Sequence, residues 1–304
     1  MAFGAQRQLA RAKLNLFLRI HGRRSDGYHF LESLVAFADI GDDIMVTPAE
    51  EVSLIIDGPF AGPLRTDATE NIVLKATRLL GSQAGDNITP PCIRLVKNLP
   101  VASGIGGGSA DAAATLKALC ALWHLDTEVE ALALLGKELG ADVPVCLFGE
   151  AAIMRGIGEI ITPAPLLPPL WVVLVNPGEA LSTAKVFAAL KARPCEVLPP
   201  PLPLPQSFSD ANELVAYLSV LGNDLEIPAC AILPSIDTML DELDQTGALL
   251  SRMSGSGATC FGLFESATEA QSAEARIAQA YPRWWVVAAA LRRHVSEPQY
   301  WRHS

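Results

Sequence analysis

Three groups of residues carry the chemistry this sequence could perform. They are a glycine-rich loop (Ser103, Gly104, Ile105, Gly106, Gly107, Gly108, Ser109), a lysine on a patterned strand (Lys13), and an aspartate in a stiff turn (Asp142). Four glycines within five positions free the backbone for left-handed conformations and let a ligand approach closely. The alanine-rich segment that follows reads as a helix through about Trp123, and its first N–H groups and dipole would point at that ligand. Strand, glycine loop and helix start together make an anion site, most often for phosphate. Two better-known phosphate signatures are not met. GxxxxGK[ST] lacks its lysine, and GxGxxG fails at Ser109, with no strand before Asp126 to set an acid on a ribose. Alone, the cluster is equally a tight connection. Ser109 can cap the helix or lend its hydroxyl to a phosphate or to Mg²⁺.

A phosphate loop without its own lysine draws positive charge from elsewhere, and Lys13 is the candidate, although a strand lysine by itself is usually a solvated one. Asp142 stands in Gly140-Ala141-Asp142-Val143-Pro144. Gly140 ends a helix and Pro144 bars its continuation, which predicts a bend. A carboxylate held there can orient or deprotonate a hydroxyl; the alternative is a turn aspartate. Tyr28 and His29 follow the turn Asp26-Gly27 and offer a stacking ring and a neutral hydrogen bonder, suited to a nucleobase or to plain packing. A second glycine cluster, Ser254 to Thr259, joins two expected strands, either as a hairpin turn or as another backbone close to a ligand.

The elements that must position these groups can be read from periodicity. Residues 12–20 alternate: Ala12, Leu14, Leu16, Leu18 and Ile20 share one face, Lys13, Asn15, Phe17 and Arg19 the other. That pattern predicts a half-buried strand with Lys13 and Asn15 side by side off the core. Further strands are expected at 33–38, 43–48, 52–57, 93–97, 171–176, 258–264 and 284–290. Helices are expected at 71–82, from the glycine loop through about 123, at 127–139, near 182–192, 209–220 and 235–244, and at 266–280. Eleven of the 22 prolines lie between Pro163 and Pro205, so that stretch reads as connections or an exposed excursion, with a domain boundary in its first cluster. Strands and helices alternate without regular βαβ spacing, which predicts α+β layers rather than a doubly wound sheet.

Of 304 residues, 33 are acidic and 23 basic, a net charge of −10 that argues against a nucleic-acid or anionic-membrane partner. No apolar run approaches the ~20 residues that span a bilayer. The charge is uneven: Arg7, Arg11, Lys13, Arg19, Arg23 and Arg24 all precede the first acid, Asp26. A transit peptide is disfavoured because this stretch overlaps a patterned strand, which leaves a solvated basic face or a site for an anionic ligand. No secretory signal is expected. Six scattered cysteines, without CxxC or zinc spacing, fit buried free thiols in a reducing cytoplasm.

The order of these motifs is more specific than any one of them. AKLNLFL (12–18), GRRSDGYH (22–29), LPVASGIGGGSADAA (99–113), GADVPV (140–145) and MSGSGATCFGLF (253–264) together resemble the GHMP kinase superfamily, over about residues 10–295. The DGYH and GADVP elements resemble its branch that acts on a cytidine-diphosphate-linked methylerythritol, not the mevalonate or homoserine kinases. Ile105 and Ala110 stand where that branch usually has Leu and Ser, and the 194–205 insertion has no familiar counterpart.

The resemblance implies a two-domain α+β fold. An N-terminal domain like ribosomal protein S5 domain 2 would span 1–163, and a ferredoxin-like C-terminal domain 164–304. It implies ATP- and Mg²⁺-dependent phosphorylation of the C2 hydroxyl of the methylerythritol moiety, with no protein ligand for the metal identified. Asp142 would be the catalytic base or orienter. Lys13 would be its partner, stabilising charge on the transferring group. Asn15 would position the substrate, Tyr28 and Phe187 would sandwich the cytosine, and His29 would bond its polar edge. Residues 103–109 would cradle the ATP phosphates, with Asn71, Lys97 and Pro100 nearby, and Ser182, Thr183 and the 254–259 loop would close the substrate side. The protein would be a monomer or homodimer. A kinase for a simpler alcohol needs no cytosine clamp, which Tyr28-His29 speaks against. A binding-only sensor would not need both Lys13 and Asp142.

Overall fold

A computed structural model of the chain describes residues 4–65, 70–85 and 88–292. Residues 293–295, the end of the stretch carrying the resemblance, lie outside the described residues, as do the outer ends of both expected domains.

β1 (Gln6–Arg23) and β2 (His29–Pro48) form one long antiparallel hairpin. Two separate strands are expected at 33–38 and 43–48, but β2 runs through both. Its halves serve different neighbours on its other edge: residues 31–35 pair with β5 (Ala152–Gly156) and 43–48 with β4 (Pro91–Val96). Between them Gly41 lets β1 come close, because a Cβ there would sit 2.2 Å from the Ala10 carbonyl oxygen. β3 (Ser53–Asp57) lies parallel to β4 and β6 (Ile160–Pro163) antiparallel to β5, giving the order β3-β4-β2-β5-β6 with β1 on β2. Helices α1 (Ile72–Ala84), α2 (Gly107–Trp123), α3 (Val129–Leu139) and α4 (Val143–Phe148) share a core with this sheet, built on Ile44, Val46, Ile93, Leu95, Leu116 and Leu119.

The second sheet is antiparallel throughout, in the order β10 (Trp285–Ala290), β7 (Trp171–Asn176), β9 (Cys260–Phe264), β8 (Leu250–Met253). Val172 and Leu174 of β7 join Leu14, Leu16, Phe17 and Leu34 in a core shared by the two sheets. Val173 and Val175, on the opposite face, pack with Met239, Leu243 and Ile277 of α8 (Ser235–Gln245) and α9 (Ala267–Ala280). Alternate residues of one strand thus feed two cores, as the period of two requires. α5 (Thr183–Leu190), α6 (Ala211–Leu221) and α7 (Glu226–Ile232) complete the α+β arrangement.

Two expectations are corrected. β1 is not half-buried: residues 12–18 are all buried, with Lys13 and Asn15 4% exposed and Phe17 fully enclosed. Irregularities at Arg11/Lys13 and Asn15/Phe17 break the simple alternation, and the glycine loop covers the second face through Lys13 N–H donating to the Ile105 carbonyl at 2.9 Å. The proline-rich stretch is not a free excursion either. Leu202 and Leu204 pack on the inter-sheet core, Glu32 accepts from Leu202 N–H at 2.9 Å, and Arg155 donates to the Pro199 carbonyl.

Candidate active site

The loop after β4 is built by interlock with the second glycine cluster. Gly104 (φ +79°) lies so close to it that a Cβ would stand 2.5 Å from the Ser254 carbonyl oxygen. The Ser254 hydroxyl donates to the Gly104 carbonyl and accepts from Asn15 N–H, both at 3.1 Å, and Thr259 N–H donates to the Ser103 carbonyl at 3.0 Å. Ile105 turns its side chain into the inter-sheet core. α2 then begins at Gly107, with left-handed Gly106 as N-cap, so Ser109 sits in the first turn and does not cap the helix. The Gly107, Gly108 and Ser109 N–H groups belong to the unpaired first turn. Ala110 is turned away from the open side of the glycine loop: it lines a separate cavity behind α2.

Three cavities run through this region. The first, 540 Å³, is lined by Asn71, Lys97, Pro100, Ser103, Gly104, Gly106 to Ser109 and Asp111. The second, 360 Å³, contains Lys13, Asn15, Asp142, Thr183 and Ser256, and shares Gly104, Gly106 and Ser109 with the first. The third, 430 Å³, contains Arg23, Tyr28, His29 and Lys191, and shares Leu31, Ile157 and Phe187 with the second. Shared walls make them one track, with Lys13 and Asp142 at its middle. Ser182 does not line the described track. It caps α5 through Lys185 N–H, while its neighbour Thr183 bonds Ser256 at 2.7 Å across the middle cavity.

Lys13 Nζ donates to Asp142 Oδ2 at 2.8 Å and to Asn15 Oδ1 at 3.2 Å. Asn15 is held in turn by donating Nδ2–H to the Ser33 hydroxyl at 2.8 Å. Gly106 makes room for the lysine, since a Cβ there would meet Lys13 Cβ at 3.2 Å and Cε at 3.3 Å. The expected bend at Asp142 is instead the N-cap of α4: Pro144 falls in the helix's first turn, where its missing N–H costs nothing. Asp142 keeps 35% of its side chain exposed, toward the middle cavity, whereas Lys13 keeps 5%. A carboxylate and an ammonium so placed can orient a hydroxyl and receive its proton while countering charge on a transferring phosphoryl group.

Under the loop lies a buried cluster that motif reading missed. Lys97 Nζ donates to Asp111 Oδ2 at 2.7 Å and to Asp42 Oδ2, and Asp42 Oδ1 accepts from the Asn98 and Leu99 N–H groups. Burial opposes charge on Lys97, but Asp111 and Asp42 outweigh it and raise its pKa. Burial pushes Asp111 up to about 8 against the pull of Lys97, with Asp42 adding repulsion. The ammonium is therefore committed to a bridge that ties the start of α2 to β2. Asn71 likewise caps α1 through Val73 N–H at 2.9 Å while lining the first cavity. Only Gly41-Asp42-Asp43, an acidic break inside a strand pattern, could have signalled Asp42.

In the outer cavity the His29 and Phe187 rings meet, with centroids 4.9 Å apart, and Tyr28 stands 59% exposed beside them. Burial, then the Arg23 charge, lowers the His29 pKa, so its neutral form dominates near pH 7. The basic start of the chain is largely accounted for. Arg7, Arg11, Arg19 and Arg24 pair with Asp43, Asp39, Asp224 and Asp26, and Arg23 joins Lys191 on the outer cavity wall.

A phosphate-sized loop over a helix start, opening past a lysine–aspartate pair onto a second organic pocket, defines a small-molecule phosphotransferase. The model of the GHMP kinases N terminal domain matches residues 71–150 and that of the GHMP kinases C terminal domain residues 206–283, and the chain belongs to this family. It is 51% identical over 286 residues to the 4-diphosphocytidyl-2-C-methyl-D-erythritol kinase of Paracoccus denitrificans, covering 94% of this chain and 97% of that one. It is 50% identical to the enzyme of the same name from Cereibacter sphaeroides, covering 93% and 98%. A solved 4-(cytidine 5'-diphospho)-2C-methyl-D-erythritol kinase superposes with a TM-score of 0.76 at 34% identity, covering 95% of this chain and all of that one.

Proposed function

We propose that this chain transfers the γ-phosphoryl group of ATP to the C2 hydroxyl of 4-diphosphocytidyl-2-C-methyl-D-erythritol, in the non-mevalonate route to isoprenoid precursors. The identity to enzymes of that name over nearly the whole chain supports the substrate. The observation that carries the mechanism is the Lys13–Asp142 pair in the middle cavity, which joins the first to the third.

ATP takes the first cavity, its phosphates on the Gly106–Ser109 backbone N–H groups at the start of α2. The cytosine takes the third, against Tyr28 and Phe187 with neutral His29 on its polar edge, and Arg23 and Lys191 face its diphosphate. The methylerythritol C2 hydroxyl then lies beside Asp142, which accepts its proton as the oxygen attacks phosphorus. Lys13 offsets the charge carried by the transferring oxygens, and Asn15 fixes the lysine. Among the described residues no group of three His, Cys, Asp or Glu could hold a metal. The oxygen donors at the junction, the Ser109 hydroxyl and the Asp142 carboxylate, suit a hard cation, so Mg²⁺ would rest mainly on the phosphates and supply charge neutralisation. The two sheets, divided near residue 163, are the proposed domains. Six free thiols accord with a reducing cytoplasm, and a monomer or homodimer completes the proposal.

The test is a coupled ADP-release assay with the cytidine-linked substrate, mevalonate and homoserine. Turnover with the first alone is expected; equal turnover with all three would sink the assignment.

A further inference from the structure

We propose a second ligand site behind α2 and α4, distinct from the track described above: a small cationic cavity that takes one inorganic oxyanion, phosphate or sulfate. It measures 70 Å³, room for a few waters or one such ion and far too little for a nucleotide. Ala110, Ala114 and Lys117 line it from one stripe of α2, Gln8 to Arg11 from β1, Cys146 and Gly149 from the end of α4, and Arg292 from beyond β10.

Its charges are left unbalanced among the described residues. The Lys117 ammonium meets no hydrogen-bond acceptor among the described residues. Burial lowers its pKa; the Cys146 sulfur opposes that shift, and Arg292 and Arg11 add repulsion that exceeds the pull of Glu150. Arg292 gives one terminal nitrogen to Glu150 at 2.9 Å, but its Nε is buried with no partner among the described residues. Arg11 is held by Asp39 at 2.9 Å. Burial pushes the Cys146 thiol up to about 12, so it adds no negative charge. Buried donors that stay unpaired are costly, and buried charges ordinarily find a countercharge. An oxyanion is an acceptor on every side and would serve both Lys117 and the orphaned Arg292 Nε. The size, the sign and the missing acceptors agree on one class of ligand.

The place gives the site a consequence. Arg11 lies two residues before Lys13 on β1, and Cys146 N–H donates to the carbonyl of Asp142 at 3.2 Å across the one turn of α4 between them. α2 carries the glycine loop at its start. An ion here braces the three elements that hold the loop, the lysine and the aspartate.

Thermal unfolding of the full chain is compared in phosphate, sulfate, glycerol 3-phosphate and chloride at equal ionic strength, for the wild type and K117M. Anion binding at the glycine loop is common to both proteins and cancels in the difference. At about 20-fold over the dissociation constant, phosphate and sulfate should raise the wild-type Tm by roughly 3 °C more than that of K117M. K117M should itself unfold no lower than wild type in chloride, because it loses a half-buried ammonium that has no acceptor among the described residues. R292Q should lose the response as well, which guards against a fault peculiar to one variant. Crystals grown in selenate should show the anomalous peak between Lys117 and Arg292 in the wild type and none there in K117M. Equal Tm responses in wild type and K117M, a response to glycerol 3-phosphate alone, or a selenate peak without a Tm response (an adventitious ion only) would each overturn the site.

Discussion

Replacing Asp142 with asparagine separates the chemistry from the binding. The amide keeps the size of the side chain but can no longer take a proton, so the loss should fall on the chemical step. A positioned general base contributes about 10²–10⁴-fold, or about 3–5 kcal/mol of barrier, and kcat should drop by that amount. Nucleotide affinity should stay within about twofold, an energy of about 0.4 kcal/mol, because the carboxylate lines the middle cavity and not the one with Asn71 and Pro100. Stability should fall too, since Lys13 is buried and loses its 2.8 Å partner. Breaking a fully buried pair costs about 3–5 kcal/mol, but with a third of Asp142 in solvent and Asn15 still 3.2 Å from Nζ, about 1–3 is expected. The assay is coupled ADP release for kcat and KM, with calorimetric titration of a non-hydrolysable ATP analogue and a melting curve. A folded D142N with kcat within tenfold of wild type would remove Asp142 from the mechanism. A loss of nucleotide affinity matching the loss of rate would make its role structural.

Other perturbations test the supports around this pair. Gly106→Ala forces a Cβ to within 3.2 Å of Lys13 at φ +67°, and should cost about 1–2 kcal/mol in melting experiments while lowering kcat more than it raises KM for ATP. Lys97→Met leaves the Asp42 and Asp111 carboxylates buried without their shared cation, and should lower unfolding free energy in urea by about 3–5 kcal/mol. Asp111, raised from 3.8 to about 8, binds its proton more tightly folded than unfolded. Its contribution is therefore full below the unfolded value and lost as pH climbs through about 8; D111N should flatten that part of a stability–pH curve. His29 shifts the other way, so its neutral form persists below the ordinary 6.5. KM for the cytidine-linked substrate should hold steady down to that pH and rise only under more acidic conditions, a limb absent in H29F.

What was legible in the sequence was what local pattern encodes. The apolar run of β7 gives its limits, 171–176, and Ser266 with Glu269 makes the capping box that opens α9. What was not legible depended on proline in a permitted place or on distant partners. α4 and α7 carry Pro144 and Pro228 inside their first turns, where proline begins a helix as readily as it stops one. Lys97 does line the first cavity, but its bridge to Asp42 and Asp111 could not be read locally, because those partners stand 55 and 14 positions away. The stripe on β1 was right about which residues lie together and wrong about solvent, since periodicity reports the side of a strand and not what packs on it.

That second covering layer bears on how the site works. Asn15 and Gly104, one beside the reacting pair and one in the glycine loop, are both fastened by the Ser254 hydroxyl, which belongs to the turn between β8 and β9. Asn223 fastens that turn from outside by donating to the Met253 and Gly255 carbonyls at 2.8 Å. The second sheet is thus part of the geometry at Lys13, although it supplies neither the lysine nor the aspartate. Ser254→Ala tests this without touching a reacting group. It leaves Asn15 N–H and the Gly104 carbonyl unpaired in a buried place, at about 1–3 kcal/mol each. If the second sheet sets the site, kcat should fall and the N-terminal loop should lose amide-exchange protection at Gly104 to Gly106, with the β7–β9 pairing still protected. Unchanged exchange in the loop alongside reduced kcat would place the effect in the Ser254 hydroxyl itself and not in the sheet that carries it.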